Sequence, residues 1–506
     1  MAVIKGHNVR TNAVISFINQ FTILALGLIL PRLTLVSYGS ETNGLVNTIT
    51  QIFTYVALLE AGIGNAAVNA LYKPIVNNDH QTISNVFSAA KSYYRKVTWI
   101  YGACVLVLTF FYPLFVDTEL SYVTVALVVL LQGMSGVVNF YFTAAYRQLL
   151  VADGKYFIVS TIGLIVYVLS SVGKILLMSI GFNIVVLQVW NFVVICLQAC
   201  ALIPIVKKKY PFLKKNNSPD LSVLSERNAF IVHEISGTIF SSTDVFLISV
   251  FCNLKLASVY SVYNMVFHSL SNLITTVNNS VDYILGQTYA RGDVARYTKV
   301  HDVYETVYSA ITFSLFTVAY LLVLPFVGLY TRGIDDIPYL DALLPLLFSM
   351  IQLLYCSKVV GNRLINISGH AKETQRRSII EAGLNLGSSL ILVNVIGIYG
   401  VLCGTIIALL YRVNDVFIYA NHKILHRGAF VTYRKMLINL AVFAVFAVLE
   451  HLLHDLLMNC CSNYLYFILL GIIFTGICFI VYFFIAIILE KDLRVIVKNK
   501  VLRRYL

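Results

Sequence analysis

The residues of this chain able to do chemistry are polar groups set three or four apart inside otherwise apolar stretches. Asn264, His268, Asn272, Thr275, Asn279 and Asp282 follow one another at this spacing. That places them on one face of a helix over about five turns. Glu234, Gly237, Ser241 and Asp244 repeat the pattern just upstream. Earlier, Asn47, Gln51 and Thr54 lead on to Gly62, Asn65 and Asn69 with Glu60 nearby, and Asn12, Ser16 and Asn19 open the first apolar stretch. Amides, hydroxyls and imidazoles arrayed this way can replace water around a polar cargo. The same small and amide side chains also serve to bond neighbouring helices to one another.

Ionisable groups inside apolar segments are functional candidates by default. Asp244 is the deepest acid of its segment, and Lys174, Lys358 and the Arg412–Asp415 pair at i,i+3 spacing are also embedded. Lys358, Lys174, Arg412 and Arg32 at an outer mouth are candidates for holding a phosphate, because a cation–phosphate hydrogen bond is charge-assisted. Glu60, Asp244, Asp282 and Asp415 are candidates for binding H⁺ or Na⁺, or for gating. Arg412–Asp415 also reads as an internal ion pair. Arg147 and Arg363 lie near helix ends, where snorkelling to lipid phosphate is the simpler role.

No pattern supports bond-breaking chemistry. His233, His268, His301, His451 and His454 lack metal-ligand spacing, and there is no GxxxxGK[ST] loop for a nucleotide. The nine cysteines are mostly isolated, with Cys460–Cys461 the one vicinal pair. The residues require no cofactor beyond a coupling ion.

Elements that could position these groups follow from the hydrophobic runs, since about 20 apolar residues cross a bilayer. Runs near 12–36, 44–71, 95–116, 121–146, 156–180, 183–206, 228–252 and 257–286 meet that length. Further runs lie near 303–330, 341–366, 376–396, 398–421, 434–454 and 464–489. The expected fold class is therefore an all-α polytopic membrane protein of about fourteen transmembrane helices. Hydrophobic residues make up 58% and charged residues 12% of the 506. With both termini cytoplasmic, only Arg32, Lys255 and Arg332 of the 37 basic residues fall outside, and Lys174, Lys358, Arg363 and Arg412 fall within spans. Such segregation is the positive-inside pattern. The net charge of +13 sits in short loops that face an anionic leaflet, which argues against a nucleic-acid partner. The polar start Met1–Arg10 and the long first apolar run argue against a cleavable signal peptide.

The halves resemble each other at an offset of about 214 residues. Gly44-Leu45-Val46 matches Ser258-Val259-Tyr260, and Asp79 matches Asp293. Arg147–Lys155, ending in Asp153-Gly154-Lys155, matches Arg363–Lys372 with Gly369-His370-Ala371-Lys372. The expected organisation is an N-terminal lobe over 1–210, a linker over 211–227, a C-terminal lobe over 228–425, and a helix pair with a basic tail over 426–506. Two six-helix lobes of like orientation would be related about the membrane normal. Spans one, two, seven and eight carry the strongest polar stripes, so a wet cleft between the lobes is expected.

Tyr38-Gly39-Ser40-Glu41-Thr42-Asn43-Gly44-Leu45 and Leu58-Leu59-Glu60-Ala61-Gly62-Ile63-Gly64-Asn65-Ala66 resemble the first two helices of polysaccharide biosynthesis transporters. There a Gly-Xaa-Glu-Xaa-Xaa-Gly turn precedes a Leu-Xaa-Xaa-Xaa-Gly-Ile segment. Asp244 through Ser258-Val259-Tyr260 is similar to that family's seventh-helix Asp and Gly-Xaa-Tyr, with Ser258 and Val259 as departures. The resemblance spans roughly residues 10–425. It implies the multidrug/oligosaccharidyl-lipid/polysaccharide (MOP) exporter superfamily, its MATE-like architecture, and most closely its Wzx-type oligosaccharide flippases. On that basis the chain is expected to move a polyprenyl-diphosphate-linked repeat unit across a bacterial cytoplasmic membrane, in contact with membrane lipid and polysaccharide assembly proteins. An ion-coupled multidrug exporter, a lipid II flippase and, from another class, a membrane glycan polymerase are the rivals.

Overall fold

A computed structural model describes residues 6–60, 63–213, 243–279, 288 and 294–505, and every element in them is helical. Within hydrocarbon a backbone can satisfy its N–H and C=O groups only internally, so long apolar runs become helices. The chain divides into two compact units, Met1–Ser258 and Val259–Leu506.

The first unit begins with α1 (Gly6–Ala57), followed by a 3₁₀ turn (Leu58–Glu60), α2 (Ile63–Val76) and α3 (His80–Phe115). Then come α4 (Tyr122–Val138), a π-helical turn (Asn139–Thr143), α5 (Ala144–Ala152), α6 (Tyr156–Ile180) and α7 (Ile184–Lys209). A short helix α8 (243–251) precedes α9 (Leu254–Asn279). Asp79, Ser121 and Asn183 cap α3, α4 and α7 by accepting a backbone N–H, which satisfies donors a helix start leaves open. Residues 243–258 group with this unit, although the repeat assigns them to the second lobe. Most of the linker expected over 211–227 lies outside the described residues.

The Gly-Xaa-Glu-Xaa-Xaa-Gly turn is a structural device. Gly39 breaks α1 at φ 79, ψ 175, a region open essentially to glycine. Glu41 accepts the backbone N–H of Glu119 at 2.7 Å, and Lys255 pairs with Glu119 at 2.8 Å. Gly44 lies so close to α9 that a Cβ there would stand 1.8 Å from the carbonyl oxygen of Leu254. Thus the first two expected spans form one broken helix, and the second of them is interrupted again at Leu58–Glu60. Gly39→Val should cost about 1–3 kcal/mol from the backbone alone. A thermal midpoint in detergent equal to that of the parent protein would refute this.

The second unit holds the rest of α9, then α10 (Val294–Tyr330), α11 (Leu344–Ile367), α12 (Ala371–Ile396) and α13 (Ile398–Tyr419). A second π-helical turn (Ala420–Ile424) leads to α14 (Phe430–Cys460), α15 (Tyr464–Leu489) and α16 (Lys491–Tyr505). Its core is aromatic: Phe348 stacks with Tyr263 and Phe267, and both of the latter are fully buried. α12 and α13 form a tight antiparallel hairpin through Gly397. Gly400 and Gly404, four apart, let the backbones meet, since Cβ atoms would lie 2.2 Å from the Leu392 oxygen and 2.3 Å from the Ser389 hydroxyl. Small residues at this spacing permit close helix approach in a bilayer.

An ion-pair node ties the C-terminal pair to α10. Arg427 grips Asp302 through two bonds of 2.7 Å, and Lys435 reaches Glu305 at 3.0 Å and Glu490 at 3.2 Å. His301, Asp302 and Glu305 could by spacing hold a metal. Two cations already occupy the carboxylates, so an ion-pair node is the reading the contacts favour.

Ten helices among the described residues are long and apolar enough to cross a membrane. They correspond to expected spans three to six and nine to fourteen. Span eight, now α9, is diluted by its polar stripe; span two is cut by the breaks at Gly39 and Leu58–Glu60; and the start of span one and most of span seven lie outside the described residues.

The internal repeat has a backbone counterpart. The turn after α5 bonds Asp153 to Leu149, Gly154 to Val151 and Lys155 to Leu150, and the turn after α11 bonds Ser368 to Leu364, Gly369 to Asn366 and His370 to Ile365. Gly154 and Gly369 both have positive φ, at 67° and 79°, as this helix-ending motif requires. The register therefore matches Lys155 with His370, whereas the sequence comparison paired Lys155 with Lys372.

Candidate functional site

Three helices of the second unit bring charges together inside the membrane span. Lys358 on α11 is hydrogen bonded to Glu381 on α12. The other Glu381 oxygen lies 3.3 Å from Arg412 Nε on α13. Arg412 also donates to Asp415 at 2.8 Å and to the Asn362 side-chain oxygen at 3.1 Å, and Asp415 accepts from Arg377. The result is an alternating chain, Lys358–Glu381–Arg412–Asp415–Arg377, with one cation more than it has carboxylates. Lys358, Glu381 and Arg412 are buried. The α12–α13 hairpin fixes the register that makes Glu381 meet Arg412, because Asn385 bonds Thr405 at 3.0 Å one turn away.

Beside this chain lies a cavity of about 530 Å³ lined by Tyr355, Lys358, Val359, Asn362, Arg363, Asn366 and Ile367. Pockets of this size hold small molecules or head groups. Lys358 sits 5.1 Å from the Tyr355 ring centre. Asn362 joins network and cavity, and Arg363 adds a further guanidinium. The wall offers an ammonium, a guanidinium, two amides and a phenol, a donor-rich set suited to binding an anionic or hydroxylated group.

The candidates read from the sequence are divided between the two units. Lys358, Arg412 and Asp415 are assembled here, and Arg412–Asp415 is the internal ion pair. Lys358 and Arg412 are not lone cations, since both are bound to Glu381. Arg32 on α1 and Lys174 on α6 belong to the first unit, each half-buried. No acid pairs with Lys174 among the described residues. In that unit Asp244 is buried, adjacent to Thr243, which bonds Tyr55, and Glu60 sits in the 3₁₀ turn. Asn47 bonds the Asn43 carbonyl of its own helix at 2.9 Å, Asn43 bonds Ser258 at 2.8 Å, and Gln51 is half-buried.

On α9, His268 and Thr275 are exposed, Asn264 and Asn272 are half-buried, and Asn272 bonds His268 at 3.1 Å. Tyr263, Phe267 and Ile274 on the other side are buried, so the stripe turns away from the aromatic core. Asn65 and Asn279 lie in helices, but their side chains are outside the described structure, as are Ser241 and Asp282 altogether.

Sequence reasoning passed over Glu381, the central anion, and the cavity residues Tyr355, Asn362 and Asn366. Glu381 is the one acid within the apolar run 376–396 and stands four residues from Arg377. That signal was present.

Solved structures share the fold that carries these groups. A lipid II flippase, MurJ, in an inward closed conformation has TM-score 0.65 and 15% identity, over 95% of this chain and 99% of that one. An inward-facing multidrug resistance MATE transporter of the MOP superfamily has TM-score 0.62 and 15% identity, over 79% and 94%. A MOP superfamily transporter from Pyrococcus furiosus, whose binding pocket is described as reversed in polarity, has TM-score 0.56 and 14% identity, over 81% and 95%. No protein-family model and no curated protein matches the sequence. The chain is thus an all-helical, multi-pass protein with the fold shared by MATE transporters and MurJ.

Proposed function

We propose that this protein is an alternating-access flippase that carries a polyprenyl-diphosphate-linked oligosaccharide across the bacterial cytoplasmic membrane, with both termini inside. The carrying observation is the cation-rich cavity along α11. Stripped of water, each unpartnered sugar hydroxyl costs a few kcal/mol and a diphosphate far more. Lys358, Arg363, Asn362 and Asn366 offer replacement donors. The exposed polar stripe of α9 extends the hydrophilic surface available to sugars, and the prenyl chain stays in lipid. Asp244 and Glu60 remain candidates for an H⁺ or Na⁺ site, and polysaccharide assembly proteins are the expected partners.

A drug exporter is the second reading, favoured by the MATE likeness. Against it, the MATE comparison covers 79% of this chain and the MurJ comparison 95%, and a lipid-linked cargo suits the more complete match. Arg363→Ala tests the reading without removing a charge from the buried ion-pair chain. Loss of one charge-assisted hydrogen bond of about 1.5–3 kcal/mol should cut repeat-unit export roughly tenfold or more at matched expression. Normal export together with lost drug resistance would favour the exporter, and unchanged export alone would remove Arg363 from the site.

A further inference from the structure

The chain leaves its last membrane-length helix by a fixed corner. α15 ends at Leu489, and Glu490 takes extended angles (φ −114, ψ 111), so α16 starts on a new axis instead of prolonging α15. Two sets of contacts hold the corner. Glu490 is paired with Lys435 at 3.2 Å. Arg494 turns back to donate to the carbonyl oxygens of Ile487 at 3.2 Å and Ile488 at 2.8 Å, in the last turn of α15, where acceptors have no partner within the helix. Leu493 is buried at the same place, whereas Val495 is 55% and Ile496 45% exposed, beside exposed Arg494 and Lys498. In all, α16 carries Lys491, Arg494, Lys498, Lys500, Arg503 and Arg504 against one acid, Asp492. Cations after a membrane span act as topology signals, but a topology signal needs charge alone. It requires neither an anchored corner nor aliphatic side chains left open between the cations. The exposed ridge of α15, Ile480, Phe484 and Ile488, is the face such a helix turns to lipid, and it ends at this corner.

From this geometry we infer that α16 is a docking element for anionic phospholipid. It lies against the leaflet that receives the end of α15, with its lysines and arginines on head-group phosphates and Val495 and Ile496 against the outermost acyl carbons. Basic side chains recur on several sides of the helix, so charge attraction carries the binding more than a single apolar stripe does. Long lysine and arginine stems let cations on the flanks reach the same phosphate plane. Through Glu490 and Lys435 the docked helix is joined to the ion-pair node on α10. The inference stands whatever the cargo.

The test is hydrogen–deuterium exchange on the full-length protein in nanodiscs, read on peptides from 491–505 with an α10 peptide as the fold control. A helix of 15 residues is marginal in water by itself, so its amides report docking. In phosphatidylcholine mixed equally with phosphatidylglycerol they should exchange at least roughly tenfold more slowly than in phosphatidylcholine alone. Raising salt to about 1 M, where the Debye length is about 3 Å, should erase most of that difference. A Lys498→Gln/Lys500→Gln/Arg503→Gln/Arg504→Gln variant keeps both sets of corner contacts and should lose the dependence on lipid composition. Slow exchange in both compositions would mean that α16 rests on the protein, and fast exchange in both that it stays in water. Either result overturns the proposal, as does a phosphatidylglycerol effect that survives high salt or the quadruple variant.

Discussion

Glu381→Leu should be the most damaging single substitution in the second unit, lowering stability by about 3–5 kcal/mol. The carboxylate stands between Lys358 and Arg412, at 3.3 Å from the latter, and all three side chains are buried. Without it two cations confront each other with one countercharge, Asp415, left for Arg412 and none for Lys358. Breaking a buried pair costs far more than replacing the whole pair, because the surviving charge stays desolvated. A Lys358→Met/Glu381→Leu double variant should therefore recover at least about half of the loss. The measurement is the thermal midpoint and the monodisperse fraction in detergent. A single variant as stable as the parent, or a double variant worse than the single, would dismiss the central role given to Glu381.

Gly44→Val should be comparably severe in the first unit, and for a different reason. Its Cβ would fall 1.8 Å from a backbone carbonyl oxygen of Leu254, against 3.4–4 Å for ordinary contact. A side-chain neighbour could rotate away, but a helix backbone has to move as a body. Overpacking usually costs about 1–3 kcal/mol, and a backbone obstacle puts this case at or above the top of that range. Gly383 provides the control. It lies within α12 with nothing within 4 Å of its added Cβ, so Gly383→Ala should stabilise by up to about 1 kcal/mol. Equal midpoints for the two variants would mean that the α1–α9 contact does not constrain residue 44.

Much of this architecture could be read from hydrophobic length alone. The expected spans near 156–180 and 464–489 match α6 and α15 almost to the residue, because an apolar run bounded by Gly181, or by Asn463 and Glu490, leaves the helix ends little choice. Boundaries were missed where helices continue in polar sequence. α10 starts at Val294 and not near 303, since its first turns carry Arg296, Lys299 and Asp302, which hydropathy discounts. Within the candidate site, Arg412–Asp415 was legible because both members share one helix at i,i+3. Lys358–Glu381–Arg412 was not, because it joins residues from three helices, and their register is set by glycines and hydroxyls across the α12–α13 hairpin. The Gly-Xaa-Glu-Xaa-Xaa-Gly turn was legible as a pattern. Its roles, a break at Gly39 and a staple at Glu41, depend on Glu119, some 80 residues away.

The paired turns at Gly154 and Gly369 carry a historical consequence. Their backbone bonds coincide bond for bond, yet the side chains just beyond them are used differently. Lys155 packs on Tyr210 in one half, and His370 bonds Tyr419 in the other. If the gene arose by doubling of a shorter ancestor, the left-handed corner was the part that neither copy was free to lose. The side chains resting on it were free to drift.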